Sequence, residues 1–252
     1  MCTSIILFRK EHHWPVIIGS NRDENLSRKS SFPEKHWKIH HPTITGGFDS
    51  EKGGSWIAVN DSGLVAIIHN RKLDVKNNFK KISRGKIILD ILNYDNIQES
   101  LESLQNLKTK YYEGFNILLC DKSNCYLGKH SSVEKEININ EIREGISILT
   151  DNDLNNINNK KINYYLNKFS NAPVPDPDKN DWLSWELLLS TEKIENQNSP
   201  EDAICFIDKL NNFGTKSSSL IAISSIKKYN KIIFKSTKSS PSKSEYLDVE
   251  LN

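Results

Sequence analysis

The sequence predicts an α+β protein in which two antiparallel sheets pack together with helices outside. Short apolar runs separated by polar turns fill the first third of the chain. The apolar period then lengthens from two residues to about 3.6, and strand-like runs return before and after a second helical stretch. Thr3–Phe8 and Pro15–Gly19 read as paired strands across the polar turn Lys10–His13. Ser55–Val59 and Leu64–His69 form the clearest hairpin, closed by Asn60-Asp61-Ser62-Gly63. Arg84–Leu92 and Ile97–Leu107 carry apolar residues at helical spacing: Ile87, Ile88, Ile91 and Leu92, then Ile97, Leu101 and Leu104. Phe115–Cys120 and Cys125–Lys129 are strands about the turn Asp121–Asn124, followed by a strand at Gly145–Leu149 and an Asn/Asp-rich loop at Asp151–Asn159. Ile162–Phe169 and Trp182–Leu189 are helical, divided by the stiff linker Ala172–Asp178. Ser199-Pro200-Glu201-Asp202 reads as the start of a further helix. Strands at Ser218–Ser224 and Lys231–Lys235 close the pattern, with Lys227–Lys231 as a hairpin turn. One domain over 1–252 is expected, with 236–252 a loose tail.

Bulk properties exclude several classes. The 252 residues carry a net charge of only +2, from 34 basic and 32 acidic side chains, which gives no support for a nucleic-acid or membrane-surface binder. No run approaches the ~20 apolar residues of a membrane span, and no signal peptide precedes the first strand. Cysteines 2, 120, 125 and 205 suggest no disulfide framework, and a reducing cytoplasm is the expected compartment. Oligomeric state is left open.

The most informative residue is Cys2. Once Met1 is removed, its thiol and a free α-amine share one residue, and the amine can take the thiol's proton. The strand arithmetic brings positions 2–4 opposite 19–23, so Arg22 and Asp23 can stand beside that amine. There a carboxylate can hold the amine and a guanidinium can favour the thiolate. The competing reading is a solvated charged turn closing a hairpin.

The block Asn21-Arg22-Asp23-Glu24 spells the signature of the NRDE protein family, related to transport-and-Golgi-organisation proteins. The Met-Cys start, Gly54–Asn60, Gly63–Ala66, Asn70-Arg71, Ser83-Arg84-Gly85 and Phe213-Gly214-Thr215 resemble that family's blocks in the same order. The family in turn resembles N-terminal nucleophile (Ntn) cysteine hydrolases, such as bile-salt hydrolases and penicillin V acylases. That resemblance implies a four-layer αββα sandwich acting on a small-molecule amide or acyl substrate, with no metal and no cofactor. It implies Cys2 as nucleophile, Asp23 as the carboxylate binding its amine and Asn70 as an oxyanion donor. Two positions depart from the hydrolase pattern. Ser20 stands where those enzymes carry arginine, with Arg22 two positions later. Asp151 stands where they carry a second asparagine, with Asn152 next to it. Asn21, His69, Arg71, Arg84 and Asn152 are candidate site-lining residues.

The alternative function is a non-catalytic protein that binds and traffics haem, or acyl-CoA and lipid, on the same fold. Neutral imidazoles can ligate haem iron. However, the chain has no Cys-x-x-Cys-His motif, and Pro33 and Pro42 argue that His36 and His40 lie in a loop. Trp182 and Trp185 read as helix core.

Overall fold

The computed structural model describes residues 2–71, 81–131, 134–225 and 232–251. The expected turn at Lys227–Lys231 and the fate of Met1 lie outside them.

The chain begins with β1 (Thr3–Phe8) and β2 (Val16–Asn25), then β3 (Ser30–Glu34), β4 (Ile44–Asp49), β5 (Ile57–Asn60) and β6 (Val65–Asn70). Two helices follow, α1 (Gly85–Ile91) and α2 (Ile97–Gln105), then β7 (Phe115–Cys120), β8 (Cys125–His130), β9 (Asn138–Glu141) and β10 (Gly145–Leu149). Helices α3 (Lys160–Asn171) and α4 (Leu183–Leu189) precede β11 (Ile207–Asp208), β12 (Phe213–Ile223), β13 (Ile232–Ser236) and β14 (Leu247–Asp248). One sheet runs β10-β1-β2-β12-β13-β14, with β11 on β12. The other runs β3 to β9 in chain order. Every strand pairing is antiparallel.

Strand alternation sorts the core into three apolar layers. Ile6, Phe8, Val16 and Ile18 meet Ile57, Val59, Val65 and Ile67 between the sheets. Their neighbours Ile5, Leu7 and Ile17 face α3 and α4, where Tyr165, Phe169 and the fully buried Trp182 and Trp185 cover them. Ala58, Ala66 and Ile68 face α1 and α2 through Ile87, Ile88 and Leu104. The result is the expected αββα order of layers. No helix among the described residues is long and apolar enough to cross a membrane.

Several sequence expectations change. The charged block after Gly19 is not a turn. β2 continues through Asn25, paired with β1 on one side and with β12 on the other. The segment after Ser199 is a single 3-10 turn, Pro200–Asp202, held by a capping box. The stretch expected as a loose tail packs onto the first sheet. β14 pairs with β13, Val249 is buried, and the Tyr246 hydroxyl donates to Ser218 Oγ at 2.6 Å. Cys120 and Cys125, register partners across the β7–β8 hairpin, form a disulfide, while Cys2 and Cys205 are free.

Candidate active site between the sheets

Register decides what surrounds Cys2. Thr3 pairs with Asn21 and Ser4 with Ser20, which sets Cys2 opposite Arg22 at the open end of β1 and β2. Even positions of β2 face the other sheet, whereas odd positions face the helices. Arg22 therefore turns into the inter-sheet cleft beside Cys2, and Asp23 turns towards α3. The Cys2 thiol is tied to the backbone of Asp23: Sγ accepts from its N–H at 3.4 Å and donates to its C=O at 3.5 Å. Burial pushes the Cys2 thiol above its ordinary pKa, and the Asp23 charge adds to this, while Arg22 acts in the opposite sense. The resting sulfur is a thiol, and attack requires a base.

The cleft encloses about 270 Å³ and is lined by Cys2, Arg22, Trp56, Asn70, Arg84 and further charged residues. Arg22 is buried. Its guanidinium lies 4.1 Å from the Trp56 ring centroid, and Nη1 donates to Ser30 Oγ at 3.3 Å. Burial depresses its pKa, yet an arginine stays charged. Trp56 reaches this position because Gly47 has no side chain. A Cβ there would come within 2.3 Å of the indole. Gly54 and Gly85 bring the wall opposite together: a Cβ on Gly54 would lie 2.5 Å from the Gly85 carbonyl carbon, and Ser55 N–H donates to Gly85 O at 3.0 Å. This close approach sets Arg84 at the cleft, with Nη1 donating to Gly114 O at 2.8 Å. Asn70 ends β6, exposed at the cleft, in register with Phe115.

Asp23 is buried. Its Oδ1 accepts from Thr215 Oγ1 at 2.6 Å, and its Oδ2 lies 3.8 Å from Lys161 Nζ. Lys161, itself buried at the start of α3, also donates to Thr3 Oγ1 at 3.5 Å and stands 5.2 Å from the Phe206 ring centroid. Sequence reasoning missed it, because one lysine among 28 carries no local mark. It missed Asn116 too, a buried polar residue in the apolar run of β7. Asn116 Nδ2 donates to Thr150 O and Asn152 O at 3.0 and 2.7 Å.

His69 is buried below the cleft floor. Its Nδ1 contacts Thr150 O at 3.3 Å and its Nε2 contacts Ser4 Oγ at 2.9 Å. A carbonyl only accepts, so Nδ1 carries the proton and Nε2 accepts from the Ser4 hydroxyl. Ser20 Oγ, 2.8 Å from Ser4 Oγ, then donates to Ser4. Burial lowers the His69 pKa to about 4, so the ring is neutral.

Five of the expected site-lining or catalytic residues do not line the cleft: His69, buried as described, and four others. Asn21 faces the helix layer by strand alternation, and its Nδ2 clamps Leu189 O and Ile204 O at 2.8 and 2.9 Å. Arg71 turns to Asn116 Oδ1 and to Asp153, at 3.2 and 2.7 Å. Asn152 Oδ1 accepts from Asp153 N–H and Asn156 Nδ2 within its own loop. Asp151 is buried just beyond β10, two residues past Leu149, the register partner of Ser4. Among the described residues no cluster of three His, Cys, Asp or Glu side chains could hold a metal, and no histidine lines the cleft.

A cysteine leading the first strand into a cleft between two helix-clad antiparallel sheets defines the Ntn-hydrolase-like fold class. The family model for Transport and Golgi organisation 2 matches residues 1–234, and the chain belongs to that family. Among solved structures, it is similar to an N-acylethanolamine-hydrolyzing acid amidase ortholog from Caenorhabditis elegans. The TM-score is 0.59 at 12% identity, over 87% of this chain and 92% of that one. It is also similar to a variant of the conjugated bile acid hydrolase from Clostridium perfringens, with a TM-score of 0.52 at 12% identity, over 98% of this chain and 92% of that one. At these identities the likeness is one of fold. No curated protein matches by sequence.

Proposed function

We propose that the protein is an N-terminal-cysteine hydrolase cleaving a non-peptide amide bond of a small acylated substrate. The observation that carries this reading is the joint placement of Cys2, Arg22 and Asn70 on one cleft, with the buried carboxylate of Asp23 directly behind the nucleophile. With Met1 removed, the α-amine of Cys2 accepts the thiol proton as the sulfur attacks the substrate carbonyl. Asp23, oriented by Thr215 and Lys161, holds that amine. Asn70 donates to the developing oxyanion, an interaction of about 3 kcal/mol. The C–N bond breaks and the leaving amine takes the proton. Water then hydrolyses the thioester, releasing the acid and restoring the thiol. Asp151, behind the cleft, offers a second carboxylate at the end of β1 rather than an oxyanion donor. The haem-carrier alternative gains nothing from the cleft, where the one soft ligand among the described residues is Cys2 itself.

The test is turnover of a panel of N-acyl amides, combined with intact mass. Loss of turnover in Cys2→Ala at unchanged melting temperature, with Met1 absent from the active protein, supports the reading. Turnover by a chain that still carries Met1 sinks it.

A further inference from the structure

The cleft is lined by Arg22, Arg28, Arg84 and two lysines, and by the acidic residues Asp23, Glu24, Asp49 and Glu113, but these charges are not all paired at contact distance. Arg28 is neutralised: it forms a salt bridge to Asp49 at 2.6 Å and reaches Glu24 at 3.8 Å. Arg22 and Arg84 are different. Among the described residues neither has a carboxylate within 4.0 Å. Arg22 is 5% exposed, yet its side-chain hydrogen bond among the described residues goes to one serine hydroxyl at 3.3 Å, and its guanidinium stacks on the face of Trp56. Arg84 spends one N–H on a backbone carbonyl. Burial lowers the pKa of both; the favourable charges acting on Arg22 are the Cys2 sulfur, Glu24 and Asp49, and those on Arg84 are Glu113, the Cys2 sulfur and Glu24, with no carboxylate close enough to pair. The sulfur itself rests as a neutral thiol, so it supplies no anion. Leaving a guanidinium desolvated and unpaired is expensive unless an anion arrives to complete it.

We propose that Arg22 and Arg84 form a subsite for an anionic group, carboxylate or phosphate, carried by the substrate close to its scissile amide. The planar fork of each guanidinium suits both oxyanions, and a chain that uses lysine as its default cation places arginine at both positions. The anion enters as a salt-sensitive, orienting contact beside Cys2. The proposal deepens the amide-hydrolase reading, but its charge preference is measurable whether or not the amide is cleaved.

The experiment compares three probes with the same acyl amide: N-octanoylglycine, N-octanoyl-O-phosphoethanolamine and the neutral N-octanoylethanolamine. Each is assayed as a protector of Cys2 against iodoacetamide, read by mass on the full chain. At least one anionic probe is expected to protect at a concentration tenfold or more below the neutral one, with the advantage shrinking as NaCl is raised. Whichever anion protects better identifies the source of the charge. Arg84→Gln, and separately Arg22→Gln, should each erase most of the advantage, while Arg84→Lys retains part of it. Two arginine positions keep the test open should Arg22→Gln fail to fold after losing its stacking on Trp56. Equal protection by charged and neutral probes, protection by none, or an advantage that survives both glutamine variants overturns the proposal. Charge-selective protection with no cleavage of any probe leaves the subsite standing and counts against the hydrolase reading alone.

Discussion

The Ser4 hydroxyl donates to His69 Nε2 at 2.9 Å, a polar link from the first sheet to the second directly beneath Cys2. Ser4 stands two residues from the nucleophile on the same face of β1, and His69 immediately precedes Asn70 on β6. One hydrogen bond therefore couples the sulfur-bearing strand to the strand that ends in the proposed oxyanion donor.

That link predicts an acid sensitivity. His69 has a folded pKa of about 4 against an ordinary 6.5, so the unfolded chain binds a proton first as pH falls. The stability contributed by the neutral ring is complete above pH ~6.5 and is lost as pH drops through ~4. Between pH 7.5 and 5 the loss attributable to His69 amounts to about 2 kcal/mol. Urea midpoints of the wild type and His69→Gln across this range should differ in slope, the variant being flatter. Parallel slopes would contradict the assignment, because the buried carboxylates are common to both proteins.

Asn116 anchors the loop that follows β10. Its amide feeds the carbonyls of Thr150 and Asn152, and its oxygen accepts from Arg71. Asn116→Ala removes the donor from two carbonyls, with an expected loss of about 2–4 kcal/mol. The loop at 150–153 should become the first site of limited proteolysis. Unchanged stability and an unchanged cleavage pattern would show that other donors replace the amide.

The wall of the cleft rests on the contact of Gly54 with Gly85. Adding one methyl at Gly54 forces the loop away from the start of α1, since the new carbon would lie 2.5 Å from backbone. Gly54→Ala should lower stability by about 2 kcal/mol. It should also displace Arg84, which precedes Gly85, and so speed iodoacetamide labelling of Cys2. A variant that melts with the wild type would mean that the approach relaxes without strain.

The layers of the fold were legible because strand alternation and helical period are local. Ile5, Ile6 and Leu7 declare two faces from three consecutive letters. The extension of β2 through Arg22-Asp23-Glu24 was not legible, because three charges in a row read as a turn. In the fold that row splits, with Arg22 facing the cleft and Asp23 facing α3. β3 and β4 were hidden by Pro33 and by Gly46-Gly47, residues that weaken strand propensity; of these, Gly47 makes room for Trp56 and Gly46 for Ala58. Strand arithmetic placed Arg22 beside Cys2, whereas Asn70 and Arg84 were expected at the site only through the family resemblance. Lys161 and Asn116 act on residues far away in the chain, and no spacing announces such a contact.

The pair Asp23 and Lys161 gives the strongest energetic prediction. Both side chains are buried, and Lys161 sits in the first turn of α3, where the helix dipole disfavours a cation and no acidic residue offsets it. Its position is compensated by Asp23, by the Thr3 hydroxyl and by the Phe206 ring. Lys161→Met keeps the length of the side chain and removes the charge beside a buried carboxylate, which should destabilise the protein by about 3 kcal/mol. Asp23→Asn strands the cation in the same way. If the two charges compensate each other, the double variant is more stable than the sum of the single losses implies, a coupling of 1 kcal/mol or more in a denaturation cycle. Additive losses would show that each charge is balanced elsewhere, and Asp23 would then owe its orientation to Thr215 rather than to Lys161.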